Sequence, residues 1–175
     1  MNARRPPDDP LPETGRLAGV DYGTVRIGIA MTDPDRILAS PWDTYVRRSP
    51  SLDEQYFVRL ASEERLVGWV IGWPIHLDGN ESGKSREVTT FAHRLRETTG
   101  LPVALQDERF STAFAREVLG EAQLTRKKTK ARIDRVAAQI LLSAYLESHR
   151  AATGQRLDQP DGPTGGFRGP GSLDD

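Results

Sequence analysis

Hydrophobic positions in this chain fall into short runs whose spacing changes from strand-like to helix-like along its length. RLAGVDY (16–22) closes on an acid, and VRIGIAMT (25–32) follows after only Gly23-Thr24, a spacing that suits a β-hairpin. TYVRR (44–48) reads as a third strand after the turn-like DPDR and SPWD stretches. Ser51 is placed to cap a helix running to Arg65, with Leu52, Tyr56 and Leu60 spaced by four along one face. LVGWVIG (66–72) shows no alternation, as expected of a central strand covered on both faces, and stops at Gly72-Trp73-Pro74. After the loop IHLDGNESG, Val88, Phe91, Ala92 and Leu95 recur at i, i+3, i+4, i+7 and predict a helix over 84–98, with Gly100 as its stop signal.

PVALQDE (102–108) is the fifth strand. Ser111 or Thr112 caps a short helix to Leu119, and a basic loop leads to a last helix over 131–149. The order βββαβαβαα is a hairpin meander followed by strand–helix units. It predicts an α/β fold with a mixed five-stranded sheet and helices on both faces. Ligands of such sheets gather at the carboxyl ends of the central parallel strands.

The ends read differently. Residues 1–15 carry four prolines and few aliphatic side chains, and the chain from Gly154 onward is rich in glycine and proline with no period. Both are expected to be tails (1–15 and 152–175) around a single domain over 16–151, Phe167 being a candidate docking residue in the second. The length of 175 residues fits one domain with a proper core. With 24 Lys and Arg against 25 Asp and Glu, overall charge does not announce a polyanion partner, so any such case rests on local charge. The absence of cysteine excludes disulfides, zinc knuckles and thiol chemistry and permits a reducing compartment. No signal peptide or membrane-length apolar run is visible, so the expectation is a soluble, cytoplasmic protein with no membrane partner.

Three acids converge on the predicted carboxyl edge. Asp21 ends the first strand, Asp107-Glu108 end the fifth, and Asp134 opens the last helix beside an apolar stripe of Ile133, Val136, Ala137, Ile140 and Ala144. Asp21 also reads as a turn residue bonding its own backbone, and Asp134 as a charge that meets the helix dipole. Clustered carboxylates otherwise call for a cation, and oxygen ligands favour Mg2+ or Mn2+. Two such ions activate water and stabilise the leaving oxygen of a phosphodiester. Strand parity puts Asp107 with Val103 and Leu105, and Glu108 with Ala104 and Gln106, so only one of the pair shares a face with Asp21. Glu108 is the choice, reaching across the fourth strand past Gly72.

Arg126, Lys127, Lys128, Lys130, Arg132 and Arg135 surround a single acid in 124–135. Such a cluster neutralises nucleic-acid phosphates, or else is a solvated loop and helix start. His76, His93 and His149 lie far apart, with no zinc-hydrolase spacing, and neither a GxSxG elbow nor a GxxxxGK[ST] loop is present.

Taken together, VDYGTVRIGIA, VIGWPIHLDGNESG, LQDERFST and IDRVAAQILLSAYL resemble the motifs of the YqgF family, also called RuvX, over about residues 16–148. The resemblance implies a ribonuclease H-like fold and a nuclease that matures the 5′ end of the 16S rRNA precursor, a family earlier described as a Holliday junction resolvase. On that resemblance Asp21, Asp107-Glu108-Arg109 and Asp134 match the family's acidic motifs, and Ser111-Thr112 its polar pair. Arg109 joins the basic residues as a nucleic-acid contact. Trp73 stands where the family usually has Leu. The wider superfamily commonly carries a carboxylate at the end of the fourth strand, where this chain has Gly72-Trp73. Two other readings stay open: an actin-like nucleotide binder with Asp21-Tyr22-Gly23-Thr24 on a phosphate, and a non-catalytic RNA-binding assembly factor. The resolvase alternative, acting on four-way DNA, calls for a homodimer rather than a monomer.

Overall fold

A computed structural model describes residues 6–74, 83–107 and 126–153. Five strands form one sheet: β1 (Arg16–Tyr22), β2 (Arg26–Thr32), β3 (Ala39–Val46), β4 (Leu66–Trp73) and β5 (Val103–Asp107), in the order β3-β2-β1-β4-β5. β1 pairs antiparallel with β2 and parallel with β4, and β4 pairs parallel with β5. The carboxyl ends of β1, β4 and β5 therefore share one edge, with β4 between the other two and β1 at the centre of the whole sheet. The predicted short helix at 111–119 lies outside the described residues, as does the chain beyond 153.

Among the described residues three helices cover the sheet: α1 (Pro50–Glu63), α2 (Gly83–Thr99) and α3 (Arg126–Thr153). α1 and α2 cover one face, where Val20, Ile29, Phe57, Trp69, Ile71 and Val88 are buried together. Among the described residues, α3 covers the other face, through Ala138, Leu141, Leu142, Tyr145 and Leu146 on Leu17, Ala30 and Val70. At roughly 25 cal/mol per Å2, such two-sided burial of β1 and β4 is the main stabilising term of the fold.

Five local expectations are corrected. β3 begins at Ala39 rather than 44, because an edge strand with a register shift at Ile29/Ala30 tolerates Pro41, which needs no ladder donor there. α1 is capped by Ser49, whose Oγ accepts from the Leu52 amide, with Pro50 in its first turn. Its buried face is Asp53, Phe57 and Leu60, leaving Leu52 exposed, since Asp53 turns inward to bind the end of β3.

The stripe of α3 is also rotated from the expected one: Ala138, Leu141, Leu142 and Tyr145 face the sheet, while Ile133, Val136, Ala137 and Ala144 are half-buried and Ile140 is buried as expected. Finally, residues 8–11 are not a free tail. The Asp9 amide donates to the Val103 carbonyl, the Asp9 and Asp8 carboxylates accept from the amides of Val103 and Leu105, and Asp9 pairs with Arg96 at 2.9 Å. Leu11 packs against the core under α3. A proline-rich segment of low hydrophobicity is ordered here because it satisfies the open edge of β5.

The inward Asp53 generates a test. Burial pushes its carboxyl pKa up, but bonds from the Arg48 amide, the Tyr45 hydroxyl and the Arg47 guanidinium outweigh this and hold it below the usual value. A depressed carboxyl contributes stability that is present above its unfolded pKa and lost as pH falls through the folded one. Asp53→Asn is expected to lower unfolding free energy by about 1–3 kcal/mol at neutral pH. The gap from wild type should close below about pH 4 in urea titrations, and a gap independent of pH would refute the assignment.

Candidate nucleic-acid processing site

The site is built on one row of residues that crosses the sheet beneath the amino-terminal half of α3. Thr44 of β3 stands opposite Gly28 of β2, and Gly28 opposite Asp21 of β1. Since Val20 pairs with Ile71, Gly72 continues the same line on β4, and it in turn pairs with Gln106 of β5. Asp21 is thus the acid of the row, flanked on both sides by glycines.

Gly28 explains how Asp134 reaches it. A Cβ added at Gly28 would lie 1.9 Å from the Asp134 carbonyl oxygen, so the α3 backbone rests directly on the bare strand. Thr44 fixes the same turn, its hydroxyl donating to the Ala131 carbonyl at 2.6 Å. Further along, α3 passes over Gly19, where a Cβ would meet the Leu142 Cβ at 2.8 Å. Asp134 therefore belongs to the row that meets the sheet, four residues before the fully buried Ala138. Its carboxylate is held by Arg26, whose Nε donates to Oδ2 at 2.9 Å in a half-buried pair. Both Asp21 and Asp134 are half-buried, screened from bulk solvent on one side and reachable on the other.

The ladder sets which residues of β5 share a face with Asp21. Asp107 pairs with Trp73 and follows Val103 and Leu105, which pack on the α1/α2 face. Asp21 follows Leu17 and Gly19, which lie under α3. Asp107 and Asp21 thus alternate to opposite faces, while Ala104 and Gln106 share the Asp21 face. Glu108 and Arg109 lie outside the described residues. Arg126, Lys127 and Lys128 open α3, and nothing is described of their side chains. Lys130 and Arg132 are exposed, and Arg135 is half-buried. Among the described residues no three His, Cys, Asp or Glu groups lie together as a metal cluster. Asp21 and Asp134 supply carboxylate oxygens, the donor type that suits a hard divalent cation, in a chain that has no cysteine.

Sequence reasoning did not single out Arg26, Gly28 or Thr44. An isolated glycine inside a strand pattern is a recognised sign of close backbone approach, so Gly28 carried a legible signal. Nothing in the local pattern distinguishes Arg26 or Thr44.

The model of the family described as "RuvX: Holliday junction resolvase" matches residues 15–148. This chain belongs to the RuvX family. A RuvX relative from Rhodopirellula baltica, named "Putative pre-16S rRNA nuclease", is 56% identical over 143 residues, covering 82% of this chain and 83% of its own length. One of the same name from Rhodobacter capsulatus is 38% identical over 137 residues, covering 78% and 86%. Among solved structures, RuvC of T. thermophilus in complex with a Holliday junction substrate aligns with a TM-score of 0.50 at 14% identity, covering 77% of this chain and 96% of that one. This likeness shows the fold, which is ribonuclease H-like as the sequence motifs implied. Among the described residues no helix is long and apolar enough to cross a membrane.

The contact at Gly28 gives a direct test of how the RuvX site is assembled. Gly28→Ala must push α3 off the sheet, and is expected to cost about 1–3 kcal/mol of stability by overpacking. It should also weaken activity by more than the loss of folded protein accounts for, because Asp134 moves with the helix. Thermal melts and specific activity measured on the same preparation check this. Unchanged activity per folded molecule would show that the position of Asp134 is immaterial.

Proposed function

We propose that this chain is a divalent-metal-dependent nuclease that hydrolyses phosphodiester bonds in the 5′ region of a 16S rRNA precursor. The observation that carries the reading is that Gly28 has Asp21 as its ladder partner and the Asp134 backbone resting over it, in a RuvX-family chain. The substrate assignment is supported by the shared name of its relatives, including the one 56% identical.

Asp21, Asp134 and Glu108 would hold Mg2+ or Mn2+, which supplies charge compensation to the phosphate and lowers the pKa of a water nucleophile. Glu108 is preferred over Asp107 because Asp107 alternates with Val103 and Leu105 to the face opposite Asp21. Arg26 keeps Asp134 in one orientation, so that its remaining oxygen is presented rather than rotating freely. The exposed Lys130 and Arg132, with Arg126, Lys127, Lys128 and Arg109, are assigned to neutralising backbone phosphates on either side of the scissile bond. Acids and cations then divide the work: the first set the chemistry, and the second bring the polyanion to it.

The description of the family model favours a second substrate, the four-way DNA junction. Labelled precursor RNA and a labelled four-way junction, each incubated with Mn2+, Mg2+ or chelator, separate the two. Cutting of the RNA alone supports the main reading, and paired symmetric nicks in the junction support the second. Binding without cutting of either would favour a non-catalytic assembly factor. With the cleaved substrate, Asp21→Asn is expected to lower kcat by at least about 100-fold. Glu108→Gln should lose far more activity than Asp107→Asn, and the reverse order would exchange their roles. Lys130→Glu with Arg132→Glu should raise KM and flatten the dependence of binding on salt, leaving kcat nearly unchanged.

A further inference from the structure

The face of the sheet opposite the acids carries a feature that cleavage does not use. Between α1 and α2 lies a cavity of about 270 Å3. Its floor is aromatic: Tyr22 and Phe91 have ring centroids 5.0 Å apart, and Phe57 meets Phe91 edge-on at 5.4 Å. Arg47 closes one end, its Nη1 donating to the Tyr22 hydroxyl at 2.6 Å and its Cζ lying 5.0 Å from the Tyr22 ring centre. The guanidinium is fixed by Asp53, which receives its Nε at 3.2 Å.

The α2 wall repeats every fourth residue as Arg86, Thr90, Arg94 and Thr98, all exposed and all lining the cavity. Arg86 and Arg94 are two turns or so apart, about 12 Å along the helix, and bracket that wall. Glu54 and Glu87 complete the rim. A ligand that satisfies this lining has a flat aromatic group for the floor, an anionic group for the arginines, and hydrogen-bond donors for the two carboxylates. A purely apolar helix or a simple anion meets only one of these demands.

We propose that this cavity binds one nucleotide unit, its base on the Tyr22–Phe91 floor and its phosphate on Arg86 or Arg94. The ribose hydroxyls and base amino groups face Glu54 and Glu87. Base stacking on aromatic rings is tolerant of sequence, and arginine supplies both charge and fork geometry to phosphate. The unit comes either from a free nucleotide or from an unpaired residue of a bound strand. In either case it is not the nucleotide being cleaved, because Tyr22 turns to the α1/α2 face while Asp21 turns to α3.

Full-length protein is titrated by calorimetry with AMP, GMP, CMP and UMP at low salt. It is also irradiated with a short single-stranded RNA carrying 4-thiouridine, and crosslinked peptides are mapped. Saturable one-to-one binding of a monophosphate identifies a free-nucleotide site, whereas crosslinks to peptides containing Tyr22 or Phe91 without monophosphate binding identify a strand site. In either case Arg86→Glu with Arg94→Glu should weaken the interaction by about tenfold or more, and Arg86→Ala with Arg94→Ala should follow in the same direction. Circular dichroism checks that these exposed substitutions leave the fold intact. Asp21→Asn should bind within about twofold of wild type, which separates this site from the nuclease reading. The absence of both binding and crosslinking overturns the proposal. So does binding that survives both arginine pairs, or binding that disappears in Asp21→Asn.

Discussion

The structure depends on one close approach, that of the α3 backbone to the bare backbone of β2 at Gly28. Helices usually stand off a sheet by the thickness of two layers of side chains. Here the Asp134 carbonyl occupies the space of a missing Cβ, and Gly19 allows the same helix to stay close farther along. The approach brings the start of α3 to the edge where β1, β4 and β5 end. The Asp134 backbone is thereby held over Gly28, the ladder partner of Asp21, with the Arg26 ion pair and the Thr44 hydrogen bond fixing the same turn. The energy for that juxtaposition comes from the apolar contacts of Ala138, Leu141, Leu142 and Tyr145, which lie well away from the acids.

The sheet divides its faces by chemistry. The α1/α2 face carries nearly all the aromatic residues of the core, stacked or edge-on from Tyr45 and Tyr56 through Phe57 to Trp69. The α3 face is lined by glycine, alanine and leucine, which makes it thin. A thin face suits a polar site, because small residues leave room for carboxylates and for a substrate backbone. A thick aromatic face suits rigidity, and it anchors the strands that carry Asp21. Residues 21 and 22 show the division at its sharpest: one step along β1 moves from the candidate site to the floor of the aromatic cavity.

Much of this was legible in the chain. The unbroken run LVGWVIG and the hairpin around Gly23-Thr24 fixed the central strands, because periodicity and turn chemistry act locally. The alternation of β5 set Asp107 on the face opposite Asp21 for the same reason. Asp21 and Asp134 were recognisable as candidates from their positions at element ends. What escaped was set by distant partners. Asp53 displaced Leu52 from the buried face of α1 because Tyr45, Arg47 and the Arg48 amide converge on it from the end of β3. The rotation of α3 depended on two glycines more than a hundred residues earlier. Arg26 looked like an ordinary start to a strand until its ion pair with Asp134 was in view.

The segment before β1 has a consequence of its own. In most domains a proline-rich beginning is the first thing trimmed when a protein is prepared for crystallisation or fused to a tag. Here two aspartate side chains act as carbonyl mimics toward β5, so trimming would strip the sheet of a sixth, side-chain-made strand. The exposed amides of Val103 and Leu105 would then be a template for intermolecular pairing. Protection of that edge is in that sense written in residues that add almost nothing to the hydrophobic core.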